Sequence, residues 1–457
     1  MTDQTTNITR ENGCCYSWCP LSCIGPLSRR IKNSYFINIG TRECAYFIQM
    51  GLSRRDELDA PFSFAILEDA DIGSGNIFEP LRGLVGKIHG GSKPEGIFLM
   101  GSCSTEIMKF DLFELSHKLT AEFNIPVIPV QTSGMCNSQA DGEDMALSGL
   151  VDFCCSRFTG AELEDETEKV VLVGSVSEYT ALMLKNEMKK FRIPFAGIFP
   201  GNNISGTLEI SKNMGKNSII VPLYPYLSKT IRKIKQRYKC KIFNTTFPIG
   251  HDGSKIFYSD LCEHFGVSAD AVCDAADSVW KDMEVKANLL KNRKIFIIGD
   301  GLFEIPAARF FSNIGANVVE VSTPRINPSM GKELSILEPC ISVVEAADIF
   351  SQFKRIEREK PDIVVAHLSL ARAFQAQGFL TFPTVIYMRS EFLGFSNAKH
   401  LVEFVPHGTD IGVGLFHPKG ISEERAFMRE VTKKVSEGVV KLSKEEIEKY
   451  LKVLDKK

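Results

Sequence analysis

The chain has 457 residues, enough for two to four domains with buried cores. Apolar residues make up 44% and charged residues 24%, with Gly 35 and Pro 20, which excludes a wholly disordered or collagen-like chain. Lys+Arg 54 against Asp+Glu 56 leaves a net charge of -2, so no field of one sign offers a large nucleic-acid footprint.

From the start of the chain, Met1 to Arg10 is polar and reads neither as a secretory signal nor as an organelle transit peptide. No run of about 18 apolar residues follows anywhere, so no membrane span is expected. The polar start is followed by Gly13-Cys-Cys-Tyr-Ser-Trp-Cys-Pro-Leu-Ser-Cys23, dense in thiols. The strand Tyr35 to Ile39 leads to Cys44, and Ile97 to Met100 leads to Cys103. Helix-period sequence then runs from Thr105 to Phe123, ahead of an apolar run at 125–130. The acidic, apolar-poor stretch Ala161 to Glu168 reads as a linker. Two further units repeat the pattern: strand 169–175, helix 178–191, strand 193–199, and strand 294–300, helix 303–314, strand 316–321. Pro361 to Ala366 opens one more. Strands alternating with helices of this length predict parallel sheets covered by helices on both faces. The composition shifts divide the chain into α/β domains at 1–165, 166–290 and 291–406. A heavily charged helical extension follows at 407–457.

No phosphate-binding loop with Gly-Lys-Ser/Thr occurs, and Gly299-Asp-Gly301 lacks the third glycine of a dinucleotide fingerprint. Neither an ATP nor an NAD site is expected in this chain. Thirteen cysteines, an odd number in a long chain, argue against a secreted disulfide framework. Most should be buried thiols acting as small hydrophobes, among them Cys262 in a helix-period segment. Cys14 and Cys15 read as spare thiols. Cys19, Cys44 and Cys103 differ. Cys44 and Cys103 fall in strand-to-helix turns, where open α/β sheets bind ligands and where a helix N-terminus favours thiolate. Three convergent thiolates suit a [4Fe–4S] cluster, which needs four ligands. Three structural thiols would carry the same spacing, and both readings stay open on spacing alone.

The segment 13–44 resembles the N subunits of light-independent protochlorophyllide reductases, members of the nitrogenase-like reductase family. So do Gly101 to Leu112, Gly142-Glu-Asp144, Pro222 to Ser228, Phe247 to Gly253, Gly299 to Ile305 and Gly394 to Lys399. The similarity runs over about residues 13–405, with the motifs in order. It implies three Rossmann-like domains with parallel sheets, as in nitrogenase components. It implies an oxidoreductase subunit that reduces the C17=C18 double bond of protochlorophyllide to give chlorophyllide, in (bacterio)chlorophyll biosynthesis. Its partners would be a B-type subunit, in an N2B2 heterotetramer, and a homodimeric L-type iron protein that binds ATP and Mg and donates electrons. The [4Fe–4S] cluster would be held by Cys19, Cys44 and Cys103 with an aspartate of the B subunit, and the resemblance makes Trp18 a wall of the pigment pocket. Bacterial cytoplasm or plastid stroma is the implied compartment. The chain departs from the family at the strongly charged loop 52–61 and at Pro383 and Ile386, where the family has a tryptophan and a glutamate. Those departures bear on the substrate. The competing expectations are another nitrogenase-like reductase, such as chlorophyllide reductase, or a non-catalytic scaffold for cluster assembly.

Overall fold

The computed structural model describes residues 7–13, 18–53, 61–74, 76–135, 137–157, 167–384 and 392–404. Cys14, Cys15, most of the charged loop, Ile386 and the charged extension lie outside the described residues.

Fourteen described strands form three sheets, and every pairing is parallel. The first sheet has the order β3-β2-β4-β5, from β2 (Ser34–Gly40), β3 (Phe62–Ile66), β4 (Gly96–Met100) and β5 (Val127–Val130). The second has the order β7-β6-β8-β9, from β6 (Lys169–Val173), β7 (Phe195–Phe199), β8 (Ser218–Pro222) and β9 (Lys241–Ile242). The third has six strands, β1-β12-β11-β10-β13-β14. It is built from β10 (Lys294–Ile298), β11 (Asn317–Thr323), β12 (Ser342–Glu345), β13 (Ile363–Ala366), β14 (Leu380–Pro383) and β1 (Ile8–Arg10). The central strands are predominantly apolar, as strands buried on both faces must be. β4, β8 and β13 carry no exposed residue. These sheets agree with the strand and helix alternation of the sequence, and β1 adds an N-terminal segment to the edge of the third.

The continuous helix expected from Thr105 to Phe123 is two helices, Cys103–Ile107 and Leu112–Phe123. Lys109 takes a left-handed φ of 55°, and the Asp111 carboxylate accepts the Glu114 N–H at 2.9 Å as an N-cap. The break frees the first helix to aim Cys103 independently of the second.

The units meet through polar contacts. Asp144 accepts the N–H groups of Lys229 and Thr230, both at 2.8 Å, capping helix Ser228–Tyr238 from helix Gln139–Arg157. Glu95, just before β4, accepts from the Ser205 N–H at 2.9 Å and from the Asn203 side chain at 3.2 Å. Lys233 and Arg237, part of a basic helix face, both reach Asp152 on helix Gln139–Arg157. That face is therefore partly spent within the chain.

Candidate functional site

β2 and β4 are neighbours in the first sheet, and their carboxyl ends lie side by side. Cys44 is the third residue of helix Arg42–Ser53, which starts just past β2. Cys103 opens helix Cys103–Ile107, just past β4. Thr105 fixes that turn: its hydroxyl accepts the Ser102 N–H and donates to the Ser102 carbonyl, both at 2.8 Å. β5, the next strand, ends in a loop whose Gly134 N–H donates to Cys103 Sγ at 3.1 Å. Cys19 arrives from outside the sheet, as the N-cap of the short turn Pro20–Cys23.

Gly134 measures how close these sulfurs are. A methyl group placed on it would lie 3.3 Å from Cys103 Sγ and 3.7 Å from Cys19 Sγ, so the two thiols face the same small space. Cys19 also feels the charge of Cys44. Gly142 makes the approach possible, because a methyl there would collide with the backbone of Pro20. Helix Gln139–Arg157 can therefore lie directly against the Cys19 turn.

The structure thus brings the three sequence-predicted cysteines together. Burial, first of all, pushes the Cys19 thiol up to about 11; the Leu21 amide opposes this, and charges on Cys103 and Cys44 add to it. Three anionic sulfurs so close repel one another. A cationic centre between them removes that penalty and displaces the thiol protons. Among the described residues no three His, Cys, Asp or Glu side chains are gathered tightly enough to hold a single metal ion. One ion would draw thiolates to about 2.3 Å from itself. An all-thiol donor set spread more widely over strand-end turns fits the corners of an iron–sulfur cluster.

Trp18 stands beside this space with its ring between two units. It meets His367, just past β13, edge-on at 5.0 Å between centroids, and Phe47, one residue triplet beyond Cys44, at 5.6 Å. The ring is thus packed within the chain as well as adjacent to Cys19. Gly134 and His367 escaped the sequence reading, and Gly142 entered it only as part of a resemblance motif. Gly134 follows β5 as Cys44 and Cys103 follow β2 and β4, so the strand-end rule would have flagged it.

Of the remaining thiols, Cys23, Cys154, Cys240 and Cys262 are buried, and Cys340 is exposed. No helix among the described residues is long and apolar enough to cross a membrane.

A three-sheet parallel α/β chain with thiols converging at strand ends has the architecture of a redox-protein component. A solved nitrogenase component, Cp1 at pH 6.5, superposes with a TM-score of 0.70 at 17% identity, over 88% of this chain and 93% of that one. At that identity the likeness is one of fold. Residues 19–407 match the family described as nitrogenase component 1 type oxidoreductase, and the chain belongs to that family. Curated relatives are named light-independent protochlorophyllide reductase subunit N. That of Heliobacterium modesticaldum is 33% identical, covering 87% of this chain and 94% of its own. That of Chlorobaculum tepidum is 34% identical, over 82% and 86%. That of the alga Chlorella vulgaris is 30% identical, over 88% and 94%. The resemblance read from the motifs is borne out, and the chain is an oxidoreductase of the nitrogenase-like group.

Proposed function

We propose that this chain is the N-type subunit of an ATP-dependent, light-independent protochlorophyllide reductase. The convergence of Cys19, Cys44 and Cys103 in a chain similar along most of its length to such subunits carries the reading. These three cysteines would hold three corners of a [4Fe–4S] cluster, and an aspartate of a B-type partner subunit the fourth. When bound, the cluster supplies single electrons for reduction of the C17=C18 bond, giving chlorophyllide.

This chain's residues then do four things. Gly134 donates a backbone N–H to Cys103 Sγ and so fixes where that sulfur points. The Thr41 hydroxyl lies 3.8 Å from Cys44 Sγ and offers a weaker contact of the same sense. Trp18, held by Phe47 and His367 next to Cys19, would be an apolar wall of the pigment pocket. Tyr46, Ile107 and Met135, exposed on the elements that carry Cys44, Cys103 and Gly134, offer the apolar surface that a B-type subunit would cover. Two N and two B chains would make the working tetramer. ATP and Mg belong to an L-type iron protein, the electron donor. The compartment is bacterial cytoplasm or plastid stroma.

The test is anaerobic co-expression with a B-type subunit and the iron protein. ATP-dependent, light-independent loss of protochlorophyllide absorbance is expected, and none with this chain alone. Turnover by this chain alone with a chemical reductant and no ATP refutes the assignment.

A further inference from the structure

Adding hydrogen across a C=C bond takes two electrons and two protons, and the cluster provides only the electrons. The third sheet holds a buried acidic pair suited to the other half of the reaction. β10 is its first strand after the N-terminal β1; β11 and β12 extend to one side of it, β13 and β14 to the other. The strand order reverses there, and in open α/β sheets the crevice outside the carboxyl ends at such a point receives ligands. Asp300 lies in the turn after β10, and Glu304 opens helix Glu304–Asn313. Their exposures are 5% and 6%. Asp300 accepts a hydrogen bond from the Thr384 hydroxyl at 2.6 Å. Glu304 accepts the Gly301 N–H through Oε1 at 3.2 Å, while its buried Oε2 has no hydrogen-bond partner among the described residues.

The turn that carries the pair packs against the chain that continues from the thiol site. Gly301 packs against Ser138 and Ala140, on the segment that continues from Gly134. His367, past the neighbouring β13, touches Trp18, which precedes Cys19. We propose that Asp300 and Glu304 form a proton-holding pair that supplies the reductive cleft. The inference rests on the reductase reading above. The pair holds one proton, on Glu304 beside the charge of Asp300. It leaves toward the reduced bond as an electron from the iron protein reaches that bond, and a proton from water restores the pair. Two such cycles balance the two electrons.

Burial, and then the charge of Asp300, push Glu304 up to about 7; the Thr323 hydroxyl and the amides of Glu304 and Gly301 oppose them. Among the described residues on the surrounding elements, Asp141 and Arg325 face each other at 3.7 Å, His367 meets Trp18 edge-on, and Arg309, farther along the Glu304 helix, is bound to Asp252 and Glu333.

The experiment compares wild type, Glu304→Gln and Asp300→Asn in the complete complex with the B-type subunit and iron protein. Infrared difference spectra across neutral pH should show a protonated-carboxyl carbonyl in the wild type that either variant removes. Turnover by Glu304→Gln should fall about 10-fold to 100-fold in kcat, with KM nearly unchanged and the neutral-pH inflection gone. The cluster's electron paramagnetic resonance signal should persist. Should Glu304→Gln fail to assemble, Asp300→Asn decides by the same readouts. A wild-type complex with no carboxyl titrating near neutrality, or variants with unchanged kcat and pH profile, overturns the inference. A wild-type complex that leaves protochlorophyllide unreduced instead sinks the reductase reading, and the infrared arm still decides whether the pair holds a proton.

Discussion

Cys44 and Cys262 stand in opposite surroundings. Cys44 is half-buried in the first turn of its helix, beside the Thr41 hydroxyl. Cys262 is fully buried on helix Gly250–His264, its Sγ 3.9 Å from the Phe191 carbonyl. Serine is nearly isosteric with cysteine but is a poor iron ligand. Cys44→Ser should therefore strip iron from the anaerobically purified complex, and Cys262→Ser should leave it, by iron content and visible absorbance. Equal iron in both would sink the ligand assignment. Burial also sets an alkaline limit. It pushes the Cys154 and Cys240 thiols up to about 12, well above the ordinary thiol range. The folded state favours the neutral thiols, so their stabilisation is complete below pH 9 and is lost as pH rises toward 12. The loss is about 1.4 kcal/mol per pH unit for each thiol. The urea midpoint of the reduced protein should fall between pH 8 and about 10.5, and Cys154→Ala should flatten that fall. Cys44 and Cys103 were legible in the sequence because strand-end turns are marked by an apolar run and a break, whereas Cys19 joined them only through the family resemblance. The same rule reaches Gly134 but not its role, which depends on one backbone N–H meeting a side chain from another strand.

At the scale of elements, the approach of helix Gln139–Arg157 to the Pro20–Cys23 turn is the most exacting. Alanine is a better helix former than glycine by about 1 kcal/mol, yet a methyl at position 142 strikes the Pro20 carbonyl. Gly142→Ala should push the Cys19 turn outward and lower iron loading, and its net effect on Tm should be a loss despite the gain in propensity. A variant with full iron and a raised Tm would show that the turn yields freely. The parallel strands themselves could be read from β-branched runs bounded by Gly and Ser. The split of the 105–123 helix could not, because Asp111 is an N-cap only once Lys109 has turned left-handed. Periodicity alone does not register that choice.

For the whole molecule, a buried ionic triad joins separate segments. Arg309 donates to Asp252 and, at 2.6 Å, to Glu333, and Glu333 also accepts the Phe247 N–H at 2.8 Å. Glu333→Gln leaves Arg309 short of a counter-charge in an apolar interior. It should cost about 3–5 kcal/mol, readable as a lower urea midpoint. The sequence exposes none of this, since the three residues come from three helices. It also hides β1, whose three residues carry no strand signal of their own. β1 pairs with β12, and Glu11 beyond it meets Arg355 and the Asp348 N–H, 337 positions further along the chain. On a ribosome adding about 5–20 residues per second, β1 therefore waits roughly 20–70 s for its pairing strand to be synthesised. Until then the nascent chain carries a loose leader, and β12 emerges with an unpaired flank open to any passing strand. β1 is thus a late clasp, and a bulky insertion ahead of residue 8 would interfere with a late step of folding rather than an early one.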